Sequence, residues 1–287
     1  MTMTLKSVKD LIVGALVGIV SMLPGASGAT VAVIFGIYER LIADLAEVRK
    51  KLLKDLKFII PLGIGIVFGM FACAVGLDWL VTNWEIPMLF FFAALIFIQI
   101  PDIVKLGSDG RQPTRNNAVA FVIGFIVMFV FFFIGQMNGS DVSEDNNSAI
   151  LMFCAGLILA ISKLAPGISG STVLLALGLF NPFMKAVKNL DMTYLIPIGL
   201  GLIIGIFGFA KIVDRCMRDC RKSTYSAILG LTFGSVVTVC LEGILGATSG
   251  DIVGIVIAIA AGLAIGYALS KIAAAYADET ISETPSN

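Results

Sequence analysis

Apolar residues run along this chain in long, nearly unbroken stretches at 58–77, 87–101, 118–135, 195–213, 225–245 and 252–270, each bounded by charged or turn-forming segments. With a few polar flanking residues each reaches the roughly 17–25 residues a helix needs to cross a bilayer. Two further apolar stretches are interrupted. "MLPGASGATVAVIFGIYERLI" (Met22–Ile42) sets a Pro-Gly-x-Ser-Gly turn in the middle of an apolar run, and Pro166–Gly170 does the same later in the chain. The arms are short: Leu11–Leu23 is 13 residues, about 20 Å of helix against a hydrocarbon core of about 30 Å. Segments 8–42 and 150–184 are therefore predicted to be re-entrant helical hairpins, with Pro24, Gly25, Pro166 and Gly167 at their buried tips. Polar backbone at that depth is tolerated only where protein or a watery cavity covers it.

Composition agrees. Of 287 residues 58% are apolar and only 14% charged, where a soluble domain carries about a quarter, so an all-α integral membrane protein is predicted. The first apolar stretch leads into the turn rather than a small-residue cleavage site, and no removable signal peptide is expected. Five scattered cysteines (Cys73, Cys154, Cys216, Cys220, Cys240) and no histidine point to plain thiols, with no metal and no cofactor.

The chain also repeats itself. Pro24–Gly36 and Pro166–Gly178 are identical at seven of thirteen positions at an offset of 142, where chance gives about one. "PLGIGIVFGMF" from Pro61 matches "PIGLGLIIGIF" from Pro197 at an offset of 136, and "AALIF" from Ala93 matches "LGLTF" from Leu229 more weakly. The halves are 1–138 and 139–277, each a hairpin followed by three spans, with 278–287 expected to be a disordered cytoplasmic tail. A hairpin enters and leaves on one side, so each half makes three net crossings and the second is inverted, the plan of secondary transporters. Under this topology 17 Lys and Arg residues fall on one side, Lys185 and Lys188 on the other, and Lys163 within the membrane. The bias puts both termini in the cytoplasm.

Inversion brings the two tips together at mid-membrane. Each second arm begins at its Ser-Gly, so helix N-termini with free N–H groups point inward and favour an anion. Gly28 and Gly170 allow close backbone approach, and Ser27, Thr30, Ser169, Ser171 and Thr172 add hydroxyls. Lys163, three residues before Pro166, suits a phosphate or a structural ion pair. Glu39 and Arg40 end the second arm of the first hairpin, as a surface pair or as a gating and coupling pair. The Gly-x-x-x-Gly pairs beginning at Gly14, Gly65, Gly201, Gly230 and Gly262 read as packing faces. Arg40–Phe58 repeats apolar residues at helical spacing between basic ones and reads as an interfacial elbow helix able to attract anionic headgroups.

"PGASGATVAVIFGIYERLI" and "APGISGSTVLLALGLF" resemble the polyprenyl-phosphate transporter family (PopT), over nearly the whole chain. The resemblance implies a bacterial plasma-membrane protein that returns undecaprenyl phosphate from the outer to the inner leaflet for envelope synthesis. The expected partners are the polyprenyl phosphate and membrane lipids, with no nucleic acid; a homodimer is compatible. Two other functions fit parts of the pattern. Helix N-termini bind any anion, so a transporter or channel for a small soluble anion stays open. Undecaprenyl-pyrophosphate phosphatases have a similar Pro-Gly-x-Ser-Arg-Ser-Gly turn, but here Gly28 and Gly170 directly follow the serines and no histidine is present. The general base and cationic clamp of hydrolysis are missing, and no enzyme is expected.

Overall fold

The structure, a computed structural model, describes residues 5–22, 27–108, 114–138, 149–166, 168, 170, 173–174, 179, 183, 186 and 191–282. All regular structure among them is helical. In chain order the helices are α1 (Leu5–Met22), α2 (Gly28–Ile34), α3 (Tyr38–Ala46), a π-helical turn (Val48–Leu52), α4 (Leu56–Asn83), α5 (Glu85–Phe97) and α6 (Ile100–Ser108). There follow α7 (Arg115–Asn138), α8 (Ala149–Leu164), α9 (Met192–Asp219), α10 (Arg221–Gly246) and α11 (Ile252–Ser282). Among the described residues, six stretches are long and apolar enough to cross a membrane: Leu56–Cys73, Glu85–Gly107, Arg115–Ile134, Met192–Asp219, Arg221–Gly246 and Ile252–Ile272. Each overlaps one predicted apolar run, and the molecule is an all-helical, multi-pass membrane protein.

Backbone contact at glycine holds the helices together. A Cβ on Gly14 would lie 2.2 Å from the Leu62 carbonyl oxygen, and one on Gly65 2.1 Å from that of Leu11, so α1 and α4 touch main chain to main chain. In α8 and α9, a Cβ on Gly156 would lie 2.1 Å from the Ile198 oxygen, and one on Gly201 2.1 Å from the Phe153 oxygen. These are the same contacts displaced by 142 residues on α1 and α8 and by 136 on α4 and α9. A Cβ on Gly230 would lie 2.1 Å from the Phe121 oxygen of α7, and one on Gly262 2.4 Å from the Phe91 oxygen of α5. Lipid tails are as apolar as leucine, so close backbone approach supplies the packing that burial supplies in water. The Gly-x-x-x-Gly pairs are packing faces, as expected.

Polar side chains tie the remaining joints. Asp191 caps α9 by accepting from the Thr193 N–H at 3.0 Å. The Ser270 hydroxyl of α11 donates to Asp102 of α6, and Ser223 of α10 donates to Asn117 of α7 at 3.1 Å.

The structure departs from the sequence reading in local breaks. The run 87–101 is two helices, because Pro101 in the first turn of α6 lacks an N–H and crowds the preceding turn; Gln99 is buried at the junction. The segment expected as the second arm of the first hairpin is also divided, into α2 and α3. Gly36 ends α2 at φ +67°, with its N–H on the Val33 carbonyl and the Ile37 N–H on that of Ala32, both at 3.0 Å. That is a Schellman cap, whose left-handed residue favours glycine. The stretch 40–58 is not one elbow helix: α3 stops at Ala46 and the chain passes through the π-helical turn before α4. α1 begins at Leu5, ahead of its apolar core, and α11 runs past Ala277 to Ser282.

Candidate functional site

The end of α8 meets Ser27, at the start of α2. Ser27 stands at the N-cap position of α2 with extended backbone, yet its side chain makes no capping bond. Its hydroxyl instead donates to the Ala165 carbonyl, at a long 3.4 Å. Tyr38, wholly buried, donates from its hydroxyl to the Leu164 carbonyl at 2.7 Å. These are carbonyls a helix leaves unpaired at its C-terminus, here satisfied by side chains from the other half of the chain. Lys163, in the last turn of α8 where a cation complements the helix dipole, donates from Nζ to the Ser21 carbonyl at 2.9 Å. Ser21 belongs to the last turn of α1, so the ammonium links the C-terminal ends of α1 and α8.

The turn glycines sit against serine hydroxyls. A Cβ on Gly28 would lie 1.9 Å from Ser21 Oγ, and one on Gly170 2.6 Å from Ser162 Oγ. Those hydroxyls donate to the carbonyls of Val17 and Leu159. Thr30 and Pro166 are buried. Pro24, Gly25, Gly167, Ser169, Ser171 and Thr172 lie outside the described residues. All of α2 is buried, so the hydroxyls of Ser27 and Thr30 are closed off in this conformation, whereas Lys163 is exposed.

Glu39 and Arg40 take different partners. Glu39 accepts from the Tyr225 hydroxyl at 2.7 Å and pairs with Arg221 at 2.8 Å, which joins α3 to the start of α10. Arg40 holds Asp55 with two bonds of 2.7 Å and lies 4.0 Å over the Phe58 ring, which joins α3 to α4. Asp44, one turn on, is buried, and its Oδ2 has no hydrogen-bond partner among the described residues. Burial, reinforced by the nearby Asp55 carboxylate, pushes its pKa up to about 6, with Arg40 pulling the other way.

The sequence reading did not single out Tyr38 or the hydroxyls of α10. Thr232, Ser235 and Thr238 are buried along one face of that helix, which shares its core with α2. Hydroxyls three residues apart in an apolar span were the available signal. No cluster of metal-ligating side chains occurs among the described residues.

The described residues define a polytopic helical membrane protein in which two interrupted apolar segments meet through hydroxyls and one lysine. The chain is a member of the VCA0040-like family, described as undecaprenyl phosphate translocase-like, which it matches over residues 17–244, from α1 through α10. A Vibrio cholerae protein named polyprenyl-phosphate transporter is 26% identical over 237 residues, covering 78% of this chain and 74% of that one. A Staphylococcus aureus protein of the same name is 25% identical over 243 residues, covering 80% and 85%. No solved structure matches. The family resemblance stated from the motifs is thus correct, and the family is named for translocation rather than hydrolysis.

Proposed function

We propose that this protein carries undecaprenyl phosphate, or a related polyprenyl phosphate, from the outer to the inner leaflet of the bacterial plasma membrane. Two inverted halves, 1–138 and 139–277, each contribute a re-entrant hairpin, and the phosphate is held between the two turns. One observation carries the reading. Lys163 bonds the residue 142 positions before it, which is the offset of the repeated motif, and this contact between corresponding positions at the ends of α1 and α8 supports a pairing of the two turns. The duplicated glycine contacts of α1 with α4 and of α8 with α9 support the repeat, and the names of the two relatives support the substrate.

The chemistry follows from charge. A phosphate monoester carries about −1.5 to −2 near neutral pH. In the closed conformation the Lys163 ammonium is held by a neutral carbonyl. A lipid phosphate offers a charge-assisted bond about twice as strong and displaces it. Separating Lys163 from Ser21 and Ser27 from Ala165 opens the turns, and the hydroxyls of Ser27, Thr30, Ser169, Ser171 and Thr172 and the amides at Gly28 and Gly170 then face the headgroup. The isoprenoid tail stays in lipid between helices. Alternate exposure of the turns to the two leaflets moves only the headgroup. Glu39 and Arg40, which tie α3 to α10 and α4, gate the basic side. Both termini are cytoplasmic, and the direction is the one implied by the family resemblance.

Native mass spectrometry of the purified protein with undecaprenyl phosphate, undecaprenyl pyrophosphate and inorganic phosphate tests this. The monophosphate lipid is expected to be retained, and Lys163→Ala to weaken it roughly tenfold or more, the size of a lost charged hydrogen bond. Ser27→Ala is expected to weaken it less. Conversion of the pyrophosphate would make the protein an enzyme. Retention of inorganic phosphate without the lipid would move the function to soluble anions.

A further inference from the structure

The last turns of α9 face the π-helical turn across an open cleft of ≈ 600 Å³ whose lining includes Glu47, Lys50, Lys211, Asp214, Arg215 and Arg218. Four cations stand against two carboxylates, and both carboxylates are taken. Arg218 bonds Asp214 and lies 3.7 Å from Glu47, which is also 3.8 Å from Lys51. Among the described residues no acid lies within ion-pair distance of Lys50, Lys211 or Arg215, all exposed. Three like charges converging without a counterion are unfavourable unless an anion joins them.

The helix says which kind of anion. α9 has 28 residues, about 42 Å, so it outreaches the hydrocarbon core of about 30 Å, and its charged end stands at headgroup depth. The exposed apolar residues Ile196, Leu200, Ile203 and Ile204 form one stripe along α9. Continued at 3.6 residues per turn, that stripe passes through Lys211, Arg215 and Arg218. A lipid tail lying on it delivers its phosphate to the cations; a soluble anion has no use for it. The repeat does not account for these charges, since 136 residues earlier stand Val75, Trp79 and Thr82.

We propose that this cleft binds an anionic phospholipid of the leaflet on the basic side, with its phosphate among Lys50, Lys211, Arg215 and Arg218 and an acyl chain along α9. The site is separate from the paired turns and independent of what they carry.

Native mass spectrometry of the full chain with dioleoylphosphatidylglycerol, dioleoylphosphatidylcholine or inorganic phosphate tests it. Phosphatidylglycerol is expected to be retained at one more copy per chain than phosphatidylcholine. Lys211→Gln/Arg215→Gln removes that copy or weakens it at least tenfold, and leaves undecaprenyl phosphate binding unchanged. Lys54→Gln/Lys57→Gln, the same loss of charge on exposed residues elsewhere, leaves the count intact. Leu200→Ser/Ile204→Ser weakens the lipid as well. Equal retention of the two phospholipids, equal loss in the control pair, displacement of the lipid by inorganic phosphate, or a second copy of the chain on this face would each overturn the assignment.

Discussion

Tyr38 shows how one hydroxyl serves two distant parts of the chain. Its ring is buried in the core and its hydroxyl reaches the Leu164 carbonyl at the end of α8. Tyr38→Phe keeps the ring and strands that carbonyl, so it should lower stability by about 1–3 kcal/mol, read as a drop in thermal unfolding temperature in detergent. Ser27→Ala should cost less, because its 3.4 Å bond is near the limit of a real one. Asp44 predicts a pH dependence. Its folded-state pKa, pushed up to about 6, exceeds the value near 3.9 of a free aspartate, so the folded state holds the proton more tightly. Its neutral form is accommodated below about pH 4, and stability is lost as pH rises through about 6. Asp44→Asn should therefore raise the unfolding temperature at pH 8 and leave it unchanged at pH 4. An equal gain at both values would mean that charge is not the cause.

At the scale of elements, helix pairs depend on which glycines meet backbone. Gly156→Ala puts a methyl 2.1 Å from the Ile198 oxygen, which must push α8 from α9 at a cost of about 1–3 kcal/mol. Gly63 has no heavy atom within 4 Å of where its Cβ would lie, so Gly63→Ala should be neutral or stabilise slightly through helix propensity. Thermal unfolding of the two variants side by side checks the contrast; equal effects would mean that the close approach does not hold the pair. The Gly-x-x-x-Gly spacing was legible because it is a local pattern on one helix. The division between α2 and α3 at Gly36 and of the run 87–101 at Pro101 was not read, although glycine and proline marked both places. An apolar run at the scale of a span does not say where its backbone bonds pause.

At the scale of the molecule, the proposed inverted topology predicts that the basic end of the bundle is cytoplasmic. In a variant whose native cysteines are serine, Thr248→Cys should react with a membrane-impermeant maleimide in right-side-out vesicles, and Lys51→Cys only after the vesicles are opened. Labelling of both from one side would break the inverted arrangement. By itself the sequence determined that the chain lives in lipid, where its long apolar spans lie and that its motif repeats, because hydrocarbon imposes length and polarity rules residue by residue. It also marked the polar turns, since Pro-Gly-x-Ser-Gly stands out in an apolar run. Tertiary structure alone decided the partners. Glu39 and Arg40 are neighbours in sequence but turn to α10 and α4, Lys163 finds a carbonyl of α1, and Lys50 comes to face Lys211 and Arg215. A charged or hydroxyl group has many acceptors within reach of its side chain, and only the packing of distant helices settles which one it meets.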